Sequence, residues 1–274
     1  MKLDTGELTL AYEDTGRGPP VLFIHGYPLG RRMWRPQLEA LIGNMHVIAP
    51  DLRGHGDSDA VPGPYTIDMH ADDCIDLLDG LEVDEPVVVC GLSMGGYVAL
   101  ALHRLYPERV AGLVLCATRA TPDNDEAKAK RTQAMTQARD GGVSAIVDTM
   151  LPKLFAPQNL EPKQAVVKYV DQVMRKTSLE GLLGDLVALR DRPDARPGLA
   201  AIEVPTLVIH GKDDQLIPVS EAEALTAGIR GARLVTLENT GHLPNLEQPQ
   251  LFNAALRDFV KLFDAADDDE TTAH

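Results

Sequence analysis

Aromatic residues make up only 4% of the 274-residue chain, with a single tryptophan, and there are only three cysteines. Cys74, Cys90 and Cys116 lie far apart and lack the close spacing of a metal site, so they read as reduced, buried packing residues. Long apolar runs are missing too. None approaches the ~18 residues of a membrane span, and no membrane partner is expected. Met1 to Leu10 carries neither a basic nor an apolar leader segment, which makes the cytoplasm the expected compartment. Positive charge is in deficit: 26 Lys and Arg against 41 Asp and Glu leave a formal net charge of −15. A surface of that sign disfavours nucleic acid and anionic membrane as partners. Part of the excess sits in the tail from Asp264 to Glu270, which reads as a solvated, frayed terminus. Nothing repeats at a solenoid or propeller period.

What is present is an alternation of apolar runs and helical patterns, as in a mostly parallel sheet covered on both faces. Leu8 to Glu13 alternates like an amino-terminal edge strand. Val21-Leu22-Phe23-Ile24 is a continuous apolar run and reads as a buried strand ending at His25-Gly26. Trp34, Leu38, Leu41 and Ile42 then share one helical face. Val47-Ile48-Ala49, Val87-Val88-Val89 and Leu113-Val114-Leu115 follow as strands. A helix lies before the second of these, around Ala71, Ile75 and Leu78. Gly95 to Tyr106, behind it, is apolar nearly all round and so is expected between other layers.

From about Arg119 to Gly198 no strand pattern appears. Thr121-Pro122 with Asp123 and Asp125 reads as a helix start, Gly141-Gly142 as a stop, and Pro162 and Ser178 as two further starts. Alternation resumes at Thr206 to Ile209 and at Leu234 to Leu237. A final amphipathic helix carries Phe252, Ala255, Leu256, Phe259, Val260 and Phe263 on one face. The expected organisation is therefore an α/β core of residues 1–118 and 199–274 with a helical cap inserted at 119–198.

The strongest local signal is Gly91-Leu92-Ser93-Met94-Gly95, directly after an apolar strand and directly before a helix. A nucleophilic hydroxyl must project from a sharp strand-to-helix turn, and flanking glycines permit the crowded backbone there. The helix behind it offers amide donors and a positive dipole end to a developing oxyanion. A serine hydroxyl needs a base. Of eight histidines, His242 follows the last strand in Thr240-Gly241-His242-Leu243-Pro244, which puts it at the carboxyl edge of the sheet with Ser93. His25 reads instead as a structural histidine bonded to backbone, and the other six as surface, packing or loop residues. The acid that orients the base is expected after Thr206 to Ile209, at Asp214, with Asp213 as the rival. The segment Cys116-Ala117-Thr118-Arg119 offers no acid.

These motifs together resemble the α/β-hydrolase superfamily over nearly the whole chain. His25-Gly26-Tyr27-Pro28 resembles its oxyanion loop, Asp51-Leu52-Arg53-Gly54-His55-Gly56-Asp57-Ser58 its turn after the next strand, and Gly241-His242 with the Pro249 region its histidine loop. The resemblance implies an α/β-hydrolase fold, a Ser93–Asp214–His242 triad in the expected chain order, and an oxyanion hole from the backbone N–H groups of Tyr27 and Met94. It implies no metal and no organic cofactor. Asp51 and Arg53 would be structural, Arg53 bonding nearby backbone carbonyls. Serine at position 93 argues against epoxide hydrolases and haloalkane dehalogenases, which carry aspartate there, and against dienelactone hydrolases, which carry cysteine.

The expected activity is hydrolysis of small carboxylic esters. Gly26-Tyr27-Pro28-Leu29 with Met33-Trp34, and Ala117-Thr118-Arg119-Ala120, resemble small bacterial carboxylesterases and 3-oxoadipate enol-lactonase-like proteins. A lactonase of that type handles a carboxylate and needs a cation in its pocket, for which Arg119 is a candidate; anchoring the cap is its plainer role. Perhydrolase or haloperoxidase-like activity and hydroxynitrile lyase chemistry share the triad. A non-catalytic ligand-binding protein on the same fold is the alternative from another class. Met135, Met150, Leu151, Leu154, Phe155 and Met174 are candidates for apolar walls or simply for packing within the cap.

Overall fold

The run Val87-Val88-Val89-Cys90 has no polar member and needs apolar cover on both faces. In the structure, a computed structural model that describes residues 1–264, it lies in the fifth of eight strands. These are β1 (Lys2–Asp4), β2 (Thr9–Gly16), β3 (Pro20–Ile24), β4 (His46–Pro50), β5 (Val87–Leu92), β6 (Val110–Cys116), β7 (Thr206–Gly211) and β8 (Arg233–Leu237). They form one sheet in the order β1-β2-β4-β3-β5-β6-β7-β8. The pairs β1–β2 and β2–β4 are antiparallel and the rest are parallel.

The parallel strands need crossovers, and helices supply them. In chain order these are α1 (Arg35–Leu41), α2 (Ile67–Gly80), α3 (Met94–Leu105), α4 (Asp125–Met150), α5 (Gln164–Met174), α6 (Leu179–Asp191) and α7 (Val219–Gly228). A single turn α8 (Pro244–Glu247) and the long α9 (Pro249–Asp264) follow β8.

Side chains of the strands alternate between two cores, one on each face. Leu22, Ile24, Val87, Val89, Leu113 and Leu115 join one cluster with α2 and α3. Val21, Phe23, Val88, Cys90 and Val114 join the other with Trp34, Phe252, Leu256 and Phe259. Both sets are apolar because both faces are covered, which is why the strands read as unbroken apolar runs. Fully burying one such side chain contributes about 1.5–3 kcal/mol.

Several local expectations shift. The segment Leu8 to Glu13, expected at the edge, sits one place inward because β1 pairs outside it, with Lys2 opposite Ala11. Three residues are too few to show a period, so β1 leaves no signal in the sequence. Ile42, expected on the buried face of the first helix, is 48% exposed, since α1 ends at Leu41. The side chain of Asn124 caps α4 by accepting from Ala127 N–H at 2.9 Å, a few residues after the expected Thr121-Pro122 start. Gly141-Gly142 kinks α4 instead of ending it: Gly142 has φ 68° and ψ −170°, and helix continues to Met150. Ser178 does cap α6, accepting from Gly181 N–H at 2.9 Å. The acidic run after Asp264 lies outside the described residues.

All of α4, α5 and α6 lie between β6 and β7, and no strand interrupts that stretch. It is tied to the core at defined points. Ser178 Oγ donates to Gly54 O at 2.9 Å. The backbones of Gly54 and Gly181 touch so closely that a Cβ on Gly54 would lie 2.2 Å from Gly181 Cα. Asp185 of α6 is fully buried and accepts from His70 Nε2 of α2 at 2.8 Å, with His55 Nε2 3.2 Å from its other oxygen.

Candidate active site

Ser93 stands between β5 and α3 with φ 56° and ψ −111°, a left-handed backbone that costs a non-glycine residue about 1–3 kcal/mol. The neighbourhood holds it there. Its N–H donates to Cys116 O at 2.8 Å, and its carbonyl accepts from Thr118 Oγ1 at 2.8 Å. The turn also requires its glycines. A Cβ at Gly91 would lie 2.1 Å from Gly95 O, and one at Gly95 would lie 2.2 Å from Ile24 O. Met94 is the first residue of α3, where a helix N–H has no acceptor within the helix.

His242 follows β8 in a loop whose backbone is fixed from the side of the helical segment, His242 N–H donating to Leu154 O at 3.0 Å. Its Nδ1 lies 2.7 Å from Asp214 Oδ2, both side chains being almost fully buried. The other oxygen of Asp214 accepts from Leu216 N–H at 2.8 Å and Ile217 N–H at 3.0 Å. Burial by itself would raise the Asp214 carboxyl. The His242 ring, the hydrogen bond from it, the Ile217 amide and His210 outweigh burial, and the carboxyl sits below its ordinary range. An ionised Asp214 accepts from an Nδ1–H, which leaves His242 Nε2 as the free basic nitrogen. Asp213 turns elsewhere and accepts from Gln158 Nε2 at 2.7 Å.

Ser93, His242, Tyr27 and Met94 line one cavity of about 240 Å3. Its walls come from both parts of the chain: Ile146, Leu186, Leu189, Leu216 and Ile217 are apolar, and Arg119, Arg131 and Lys153 are cationic. Among the described residues no carboxylate lines it. Two buried polar atoms of lining residues have no partner, Tyr27 Oη and Arg119 Nε. Burial raises the Tyr27 hydroxyl well above its ordinary range, and the charge of Asp185 adds to this. Of the six apolar candidates in the helical segment only Met150 reaches the cavity. Leu154, Phe155 and Met174 instead pack into the core cluster on the Trp34 face. Arg119 donates to Asp123 at 2.8 Å, a contact within the helical segment, and it lines the cavity.

Other candidates separate from the site. His25 Nε2 accepts from Leu52 N–H and its Nδ1 donates to Gly26 O, both at 2.9 Å, so the ring is neutral and structural. Burial, then the neighbouring His55 ring, lowers its basicity well below normal. Asp51 accepts from Arg31 N–H at 2.6 Å and Asp57 N–H at 2.9 Å and organises its own turn. Arg53, expected on backbone carbonyls, instead grips Asp73 with two hydrogen bonds of 2.6 and 2.5 Å. Asp73 is buried on α2, and a buried carboxylate gives a bidentate partner that no carbonyl matches.

Three supporting residues escape the sequence reading. Thr118 holds the Ser93 carbonyl. His210, at the end of β7, lies 3.4 Å from Asp214 Oδ2 and donates to Ile217 O at 2.9 Å. Glu247 accepts from Gly241 N–H at 2.8 Å, Ala156 N–H at 3.0 Å and Asn159 Nδ2 at 2.6 Å, binding the His242 loop to the helical segment. Burial raises the Glu247 carboxyl above its ordinary range, despite these bonds. The Pro249 region was the nearest hint of it.

The family model described as the alpha/beta hydrolase family matches residues 21–255. The chain belongs to that family. This α/β-hydrolase is 32% identical over 265 residues to 3-oxoadipate enol-lactonase 2 of Acinetobacter baylyi, covering 95% of this chain and 96% of that one. It is similar in structure to a thermophilic esterase from Thermogutta terrifontis, with 40% identity, a TM-score of 0.91, and 93% and 94% of the two chains covered. It is likewise similar to the enol-lactonase from Burkholderia xenovorans LB400, with 31% identity, a TM-score of 0.89, and 95% and 100% covered. The chain is thus an α/β-hydrolase with esterases and lactonases among its relatives. No described helix is long and apolar enough to cross a membrane.

Proposed function

We propose that this α/β-hydrolase cleaves small carboxylic esters through an acyl-enzyme on Ser93, with His242 as base and Asp214 as the acid that orients it. The observation that carries the reading is the buried 2.7 Å Asp214–His242 contact beside the cavity that Ser93 also lines. Residues 119–198 act as a cap over the core of 1–118 and 199–274, and they supply more than half of the residues lining the cavity. A volume of about 240 Å3 falls below the ~300–1,000 Å3 of pockets for drug-sized ligands, which favours small substrates. The buried free cysteines fit a reducing cytoplasm.

Ser93 Oγ attacks the ester carbonyl carbon while its proton passes to His242 Nε2. The oxyanion that forms accepts hydrogen bonds from the Tyr27 and Met94 backbone N–H groups, each worth about 3 kcal/mol at the transition state. Asp214 keeps Nδ1 protonated and stabilises the imidazolium. The C–O bond breaks, the leaving alkoxide takes the proton from Nε2, and the acyl group remains on Ser93. A water then attacks the acyl carbon, gives its proton to Nε2, and the acid leaves as Ser93 recovers that proton. In a lactone the alkoxide stays tethered to the acyl group, and the product is a hydroxy acid or its keto tautomer.

The three cations on the cavity wall favour a second, narrower reading: an ester or lactone that bears a carboxylate, as 3-oxoadipate enol-lactone does. They stand on a wall that no carboxylate lines among the described residues, in a chain of net charge −15, with Arg119 and Arg131 also paired to Asp123.

The test is turnover of p-nitrophenyl acetate and butyrate by the wild type and by Ser93→Ala. Turnover that disappears in the variant supports the acyl-enzyme route. Turnover that survives removes Ser93 from the mechanism, and none in the folded wild type moves weight to the ligand-binding alternative.

A further inference from the structure

A second and larger cavity, of about 690 Å3, adjoins the first. Two residues line both: Tyr97 and Arg119. Tyr97 lies one helical turn beyond Ser93 on α3, and Tyr97, Leu100, Ala101 and Arg104 all line the larger space. That spacing of three, four and seven residues is one stripe of a helix, so the floor of the second cavity continues the face on which Ser93 opens. From Ser93 to Arg104 the stripe covers roughly 16 Å at 1.5 Å per residue. The rest of the wall is mostly apolar, with Pro193, Leu199 and Ile202 from the segment where the cap returns to the core.

The tyrosine between the two spaces is held in place. It is buried at 7% exposure, and the guanidinium carbon of Arg192 lies 4.4 Å from its ring centroid. Arg192 is itself fixed, donating to Asp123 Oδ1 and Leu189 O at 2.6 Å and to Thr121 O at 2.8 Å. A cation over the ring face, with its own donors spent on three acceptors, keeps the ring from rotating out of the way. Tyr97 and Arg119 together stand between the two spaces, and of the two Tyr97 is the one on the Ser93 stripe of α3.

We propose that Tyr97 determines specificity by ending the acyl site, and that the 690 Å3 cavity behind it is a latent site for an apolar chain. It rests on the reading of Ser93 as an esterase nucleophile. With Tyr97 in place, acyl groups end within the smaller cavity. With the ring removed, a medium-length alkyl chain runs along the Leu100–Ala101 stripe. Each methylene that gains burial there improves kcat/KM roughly fourfold.

The experiment compares kcat/KM for p-nitrophenyl acetate, butyrate, octanoate and decanoate in the wild type, Tyr97→Ala, Tyr97→Phe and Tyr97→Ala/Ala195→Phe. The decanoate-to-acetate ratio is expected to rise at least tenfold in Tyr97→Ala. Tyr97→Phe, which keeps the ring under Arg192, should keep the wild-type ratio. Ala195 lines only the larger cavity, and its replacement by phenylalanine in the Tyr97→Ala background should take up part of that space and reduce the gain. An unchanged ratio in a folded Tyr97→Ala protein, or a gain that the second substitution does not reduce, overturns the proposal. Calorimetric binding of decanoate to Ser93→Ala and to Ser93→Ala/Tyr97→Ala reads the same partition without chemistry. Tighter binding to the double variant supports it and equal binding overturns it, whatever becomes of the esterase reading.

Discussion

Asp213 and Asp214 are adjacent in the chain and face opposite ways, Asp213 accepting from Gln158 Nε2 and Asp214 from the His242 ring, each at 2.7 Å. Asp214→Asn should therefore lower kcat for an activated ester by about 10⁴-fold, since an amide favours the wrong imidazole tautomer. Asp213→Asn should stay within a few-fold of wild type, because the substitution lies at the surface. Side-by-side kcat values check both. The reverse order would move the acid to Asp213.

The depressed Asp214 carboxyl has a consequence for stability. In the unfolded chain it titrates near 3.8 and in the folded protein below that. The unfolded state thus binds more protons in the interval between the two. Asp214 contributes stability above about pH 4 that is lost as the pH falls through the folded value. Asp214→Asn should remove that component, so thermal melting of the variant should fall less steeply than wild type between pH 5 and pH 3. A parallel pair of melting curves would assign the acid sensitivity to other carboxylates.

Glu247 offers a test of how the His242 loop is held. Glu247→Ala leaves the Gly241 and Ala156 amides without their acceptor. Stranding buried donors costs about 1–3 kcal/mol each, so the variant should melt several degrees lower and lose kcat through a displaced His242. Glu247→Gln keeps one of the two acceptor oxygens and turns an NH2 toward the remaining donors, so it should be milder than Glu247→Ala without being silent. Equal effects of the two substitutions would mean that a single acceptor oxygen is not enough to hold the loop.

Charge on the cavity wall predicts a preference. Arg131→Met should raise KM for the mono-p-nitrophenyl ester of glutarate about tenfold relative to KM for the neutral butyrate, the cost of a charge-assisted contact being about 1.5–3 kcal/mol. The ratio of the two substrates is the readout. If it does not move, the anionic reading is wrong and Arg131 serves only to hold Asp123, its partner at 3.0 Å.

What the sequence shows of this molecule is whatever is written locally. Ser93 is legible because strand, sharp turn and helix follow one another within a dozen residues, and His242 because it closes the last strand. The parallel strands are legible because burial on two faces removes polar residues from them. Contacts across the chain are not written in that way. Arg53 finds Asp73 20 residues on, His70 finds Asp185 115 residues on, and Glu247 reaches Asn159 88 residues back. None of these partners carries a periodic or motif signature. The cavity wall failed for the same reason: which apolar residues of α4 and α6 face Ser93 depends on how those helices dock. Periodicity marks a buried face without saying against what it is buried.

The contact of Gly54 with Gly181 bears on how molecules enter and leave. With two backbones in direct touch and Asp185 sunk between two core histidines, α6 is riveted to the core. Where passage to Ser93 needs only an exposed side chain such as Lys153 to move, its rotamers exchange in picoseconds to nanoseconds. Traffic on that timescale is far faster than the microsecond-to-millisecond swing of a lid. The waiting time of each catalytic cycle would then belong to bond making and breaking at the serine, and thickening the solvent would leave it unaltered.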